Sequence, residues 1–113
     1  MRKDRVASLL SREISQIVAR EIKDPRLGFI TITKVVMQND LKVALVYFSS
    51  LGDKSEGLTI LNHAKGYIRS NLAHRVRLKY IPQLEFRIDN SYEYGAHIDA
   101  LIEEIHRDNK EEQ

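Results

Sequence analysis

The apolar residues of this chain change their spacing twice, and the changes limit the folds open to it. Val6, Leu9, Leu10, Ile14, Ile17, Val18 and Ile22 recur at steps of three and four, with Arg12, Glu13, Gln16 and Arg20 between them. That period belongs to a helix burying one stripe. It should stop near Lys23, because Asp24 precedes Pro25 and the residue before a proline is pushed out of helical geometry. From Phe29 to Met37 and from Leu41 to Ser49 the composition turns to Ile, Thr, Val, Tyr and Phe, which suit a pleated surface, with the polar turn Gln38-Asn39-Asp40 between the two runs. A helix followed by a β-hairpin is therefore the opening of the fold. Leu41, Val43, Leu45 and Tyr47 make one apolar face of the hairpin, and Ala44, Val46 and Phe48 nearly make a second. Either both faces are partly covered or one of them meets a partner.

The helical period then returns at Leu58, Leu61, Ala64, Ile68 and Leu72, with Ser55 as the expected cap. Gly66 interrupts it. A glycine inside a helix costs about 1 kcal/mol relative to alanine, so it suggests a bend or a close approach of the backbone to something, the alternative being a tolerated glycine against a tightly packed neighbour. Pro82 closes this region, and Leu84, Phe86 and Ile88 alternate with Glu85, Arg87 and Asp89 over a third strand with one buried face. A last helix is expected from about Tyr94 to Arg107, burying Ile98, Leu101, Ile102 and Ile105. The order α-β-β-α-α-β-α, with helices on one face of a three-stranded sheet, describes a two-layer α+β domain. A length of 113 residues with 42% apolar content supports one such domain, at residues 1–107, followed by a short acidic tail at 108–113.

Charge gives the first functional reading. From Gly57 to Leu84 there is no aspartate or glutamate, while the same stretch carries Lys65, Arg69, Arg75, Arg77 and Lys79 with His63 and His74. A bias of this extent on a folded element suits a nucleic acid backbone better than one small phosphate. The alternative is a basic face that is merely solvated, or paired with acids from elsewhere in the chain. The overall net charge of +2 hides the asymmetry: residues 1–88 hold 16 basic and 8 acidic groups, residues 89–113 hold 2 and 8. Tyr67 and Tyr80 flank the basic segment, where each is placed to stack on an unpaired base, although Tyr67 serves equally well as core packing.

Other classes find little support. No run approaches the roughly 20 apolar residues of a membrane span, and the N-terminus lacks the apolar core of a signal peptide. The absence of cysteine removes disulfides and thiolate metal ligands. The histidines at 63, 74, 97 and 106 form no His-Glu-x-x-His pattern, and there is no glycine-rich phosphate loop. Neither catalysis, nor a cofactor, nor a metal site is expected.

Four segments together carry a family resemblance: Arg20 to Gly28 with the hairpin behind it; Ala64-Lys65-Gly66-Tyr67-Ile68-Arg69; Arg77-Leu78 before Ile81-Pro82-Gln83-Leu84-Glu85-Phe86; and Asp89-Asn90-Ser91. In that order and spacing they resemble the ribosome-binding factor A family of small bacterial assembly factors, over about residues 2–107. The resemblance implies a KH-like fold of the second topological type, in which a helix-kink-helix at Ala64 and Gly66 replaces the Gly-x-x-Gly loop of ordinary KH domains. With no Gly-x-x-Gly in the chain, the usual four-nucleotide clamp is not expected, and phosphate contacts with little base reading remain.

It further implies a cytoplasmic, non-enzymatic protein, monomeric and without a small-molecule substrate or membrane attachment, that binds the free 30S subunit and assists late maturation of its 16S rRNA. The candidate RNA contacts are Lys65 and Arg69 at the kink, Arg75, Arg77 and Lys79 beyond it, and Arg2, Lys3 and Arg5 at the N-terminus. Arg26 is either a further contact or the partner of Asp24. Two other readings stay open: a protein-interaction module whose hairpin extends a partner's sheet, and a DNA-binding protein using the same basic face.

Overall fold

The computed structural model describes residues 3–91. The helix expected from Tyr94 to Arg107, the acidic tail, and Arg2 lie outside the described residues.

Helix α1, Lys3–Arg20, buries Val6, Leu10, Ile14, Ile17 and Val18, the stripe read from the sequence. It ends earlier than expected. Asp24 must be extended (φ −119°, ψ 116°) for its carboxylate to accept the Arg26 backbone N–H and cap a short 3-10 helix, Pro25–Phe29, so the chain leaves the α-helix several residues before Pro25. That 3-10 turn had no periodic signal, being too short to show one.

Strand β1, Ile30–Gln38, pairs antiparallel with β2, Val43–Ser50, and β2 pairs parallel with β3, Gln83–Ile88, giving the sheet order β1-β2-β3. The hairpin tip differs from expectation. Leu41 belongs to the turn and not to β2, because Asn39, Asp40 and Leu41 all adopt left-handed backbone (φ 52°, 54° and 72°), and Lys42 N–H closes the turn on the Gln38 and Asn39 carbonyls. Asn and Asp tolerate that conformation; Leu does so only under constraint.

As the central strand, β2 is buried on both sides. Ala44, Val46 and Phe48 join Val35, Met37, Leu84 and Phe86 in one core with α1, Leu61, Ile68 and Leu72, whereas Leu45 is buried on the opposite face. The helices therefore form one layer and the sheet the other. A mixed sheet in the order α-β-β-α-α-β is consistent with KH-like topology.

Helices α2, Lys54–His63, and α3, Lys65–Arg75, meet at Ala64, which ends one and begins the other (φ −85°, ψ −1°). The break is where the Ala-x-Gly sequence put it. The cap of α2 is Asp53 and not Ser55: its carboxylate accepts the Glu56 N–H at 3.0 Å, and Ser55 lies one residue inside the helix. Crowding, expected at Gly66, is found instead at Gly57. A Cβ on Gly57 would lie 3.0 Å from Ile30 Cδ1 and 3.5 Å from Phe48 Cε2, while among the described residues one on Gly66 would meet nothing within 4 Å. Gly57 lets α2 settle on the first two strands.

Candidate nucleic-acid interface

The cations of the acid-free stretch fall on three pieces of backbone: the kink, the body of α3, and the loop from Val76 to Pro82. At the kink, Lys65 opens α3 and is half-buried, and Gly66 beside it is exposed. Ala64 offers no side-chain cap to this helix, so its first amides have no side-chain acceptor there. With open space around Gly66, a partner's backbone can come close to them.

The body of α3 uses its cations internally. Arg69 is part-buried, donating from Nε to the Pro82 carbonyl and from Nη2 to the Ile81 carbonyl, both at 3.0 Å. This planar fork holds the connection to β3 against the helix, work for which guanidinium geometry is suited. Arg75 reaches across to α1, with its Nη1 3.5 Å from Glu13 and its Nη2 3.3 Å from Glu21, and with Gln16 beside them. Its side chain is 26% exposed. Both groups neutralise or satisfy partners that lie far away in sequence.

In the loop the situation reverses. Arg77 and Lys79 are exposed and, like Lys65, have no ion-pair partner among the described residues. Lys79 Nζ lies 5.6 Å from the centroid of the Tyr80 ring, which is 69% exposed. Tyr67, half exposed on α3, is not core packing. Lys3 and Arg5 are exposed in the first turn of α1, and the Val6 beside them lines a cavity with Lys79 and Tyr80, so the N-terminal cations and the loop cations share one end of the molecule.

Arg26 sits elsewhere. It ion-pairs with Asp24 at 2.8 Å and Glu56 at 2.7 Å, and the hydrogen bonds from its side chain hold the Asp24 carboxyl below its ordinary range. Of the two roles open to it, pairing with Asp24 is the one the geometry displays, with Glu56 added. Among the described residues no group of acidic and histidine side chains could hold a metal ion, and no helix is long and apolar enough to cross a membrane.

Sequence reasoning missed Lys42. It ends the hairpin turn, its carbonyl accepts the Gln83 N–H at 2.9 Å, and it lines the same cavity as Lys79 and Tyr80. Nothing local marks it. Only the parallel pairing of β2 with β3 brings it to the basic end.

The model for ribosome-binding factor A matches residues 2–102. Among solved structures, the crystal structure of ribosome-binding factor A from Thermus thermophilus superimposes with a TM-score of 0.73 at 28% identity, covering 78% of this chain and 97% of that one. A homology model of the Thermus thermophilus factor, fitted into a cryo-EM map of its complex with the 30S subunit, gives a TM-score of 0.65 at 28% identity, with 74% and 91% covered. The solution structure of a Thermotoga maritima protein, a candidate ribosome binding factor A, gives 0.60 at 33% identity, with 77% and 90% covered. With a family match over nearly its whole length and the same order of helices and strands, this chain belongs to the ribosome-binding factor A family.

Proposed function

We propose that the protein binds the free small ribosomal subunit as a monomeric, cytoplasmic assembly factor, assisting late maturation of 16S rRNA through phosphate contacts at its basic end, without catalysing a reaction. The observation that carries this reading is the family match over residues 2–102, together with the likeness to a homology model of the Thermus thermophilus factor fitted into a map of its 30S complex. Lys65 and the amides of Gly66 at the kink, Arg77 and Lys79 in the loop, and Lys3 and Arg5 on α1 are the contacts, with Arg2 beside the last pair. Arg69 and Arg75 take part by holding the loop and α3 in place. Arg26, beside the start of α2 and paired with two acids, is the weakest candidate.

The hairpin-edge alternative is disfavoured by β1 itself. Its register slips between Ile32 and Lys34, and a bulge of that kind breaks the regular ladder an added strand needs.

Co-sedimentation with separated small subunits, large subunits and joined ribosomes tests the proposal. Pelleting with free small subunits should greatly exceed pelleting with joined ribosomes. Equal pelleting with both, or with neither, would overturn it.

A further inference from the structure

A cavity of about 280 Å³ opens between the hairpin tip and the loop after α3. Its walls are Leu41 and Leu78, and the buried Val6 of α1 forms part of its lining. Three features set it apart. Tyr80 presents a ring that is 69% exposed, although tyrosine normally buries its apolar body. Leu41 is kept in left-handed backbone, a conformation that favours glycine and that the surrounding turn imposes on it. Asp40 lies in the lining beside Lys42 and Lys79, with no ion pair to any described residue.

That carboxylate decides what kind of ligand fits. A phosphate would be repelled by Asp40, whereas the flat face of a base can stack on Tyr80 with the phosphates on either side of it falling to Lys42 and Lys79. A carboxylate only accepts hydrogen bonds, so it favours a base edge made of donors. Guanine offers two adjacent donors, N1–H and the N2 amino group. Adenine and cytosine offer one amino group beside a ring-nitrogen acceptor, and uracil one N–H between two carbonyls.

We propose that this cavity takes a single unpaired base of RNA, guanine in preference to the others, stacked on Tyr80 and read by Asp40. The inference rests on the reading that the partner is RNA, and it adds base recognition to a surface otherwise expected to contact phosphate alone. Arg69 is the positioning residue: through the Ile81 and Pro82 carbonyls it holds the segment next to Tyr80.

The experiment titrates the full chain with three end-labelled RNA pentamers, UUGUU, UUAUU and UUUUU, at one fixed salt concentration. The guanosine pentamer should bind several-fold more tightly than the uridine pentamer. Tyr80→Ala should weaken the guanosine pentamer by roughly fivefold to 100-fold, the range of one base stack, and Tyr80→Phe should restore it. Asp40→Asn, which tolerates the left-handed backbone, should erase the preference for guanosine while leaving uridine binding as it was. Equal wild-type affinity for the three pentamers, or a Tyr80→Ala protein that melts and binds like wild type, overturns the inference. Co-sedimentation of the wild type in parallel separates the two claims. If it pellets with small subunits but does not discriminate among pentamers, only the base pocket is lost; if it discriminates but does not pellet, only the assembly-factor reading is lost.

Discussion

The body of α3 and the loop that follows it come from the same acid-free run of sequence, yet they use positive charge in opposite ways. On α3, Arg69 is occupied by two loop carbonyls and Arg75 by Glu13 and Glu21. In the loop, Arg77 and Lys79 stand in solvent with no acidic partner among the described residues. The difference is one of reach. A guanidinium on a helix that packs against other elements finds acceptors there, and the net charge of a segment says nothing about which of its cations do so. A basic stretch thus holds paired and unpaired cations at once, and if the unpaired ones are the proposed contacts, only they should respond to salt.

The largest expected effect breaks the paired half. Arg69→Ala leaves the Ile81 and Pro82 carbonyls without their charged donor, and hydrogen bonds from charged groups are worth about 1.5 to 3 kcal/mol together with the cost of unpaired buried acceptors. We expect a loss of about 2 kcal/mol in urea unfolding with an unchanged m-value, and only partial recovery with Arg69→Lys, which lacks the fork. A loss below about 0.5 kcal/mol would mean that the clamp is incidental and return Arg69 to the surface.

The next effect breaks the unpaired half. Replacing Arg77 and Lys79 together by Ala removes two candidate phosphate contacts, each of which should take about 0.7 to 0.9 from the magnitude of the log-log salt slope of RNA or subunit binding. Affinity should fall while stability changes by no more than about 0.5 kcal/mol per site, because both side chains are exposed. A double variant with the wild-type slope would place the binding surface elsewhere.

This contrast marks how far the sequence could be read. Periodicity located α1 and all three strands, because each buries a regular stripe or face. The break at Ala64 came instead from the Ala-x-Gly resemblance, the apolar stripe itself running straight through Ala64. Periodicity failed where a residue's role depends on something distant. Gly57 looks unremarkable inside Ser55-Glu56-Gly57-Leu58 until Ile30 and Phe48 are brought against it, and Gly66 looks constrained until no described residue is found near it. The basic surface was legible as a charge bias, but its division into paired and unpaired cations was not, since Arg69 meets carbonyls and Arg75 meets acids more than 50 residues earlier. Lys42 and Asp40 entered the site only through the pairing of β2 with β3.

Gly66 sharpens the comparison at the other end of α3. It has no positive φ, and an added methyl would meet no atom of the described residues within 4 Å, so nothing among them requires a glycine there. Gly66→Ala should therefore stabilise the fold by about 0.5 to 1 kcal/mol, through reduced freedom of the unfolded chain and better helix propensity. If a partner's backbone approaches the open amides of the kink, the same change should weaken subunit binding even as melting rises. Higher stability with unchanged binding would make the glycine incidental and leave the loop as the contact.

The smallest effect is expected at the end of the sheet away from the basic loop, where it serves as the reference. The Asp89 carboxylate accepts from Ser91, whose backbone N–H lies 2.9 Å away, and from the Thr33 hydroxyl on β1. These bonds, with a smaller pull from Lys34, lower its pKa to about 2 from 3.8. A carboxyl that binds its proton less readily when folded gives stability that is present above about pH 4 and lost as pH falls toward 2. Because the group is open to water, screening keeps this contribution small. Asp89→Asn should flatten the fall in stability over that window and leave it unaltered near neutral pH. The Arg77 and Lys79 double variant should keep the wild-type acid profile, since both side chains are exposed and have no ion-pair partner among the described residues. Superimposable profiles for wild type and Asp89→Asn would show that the bonds from Thr33 and Ser91 do not favour the ionised carboxylate in the folded chain. A changed acid profile in the double variant would instead mean that the loop cations contribute to the fold, and the division between paired and unpaired cations would have to be redrawn.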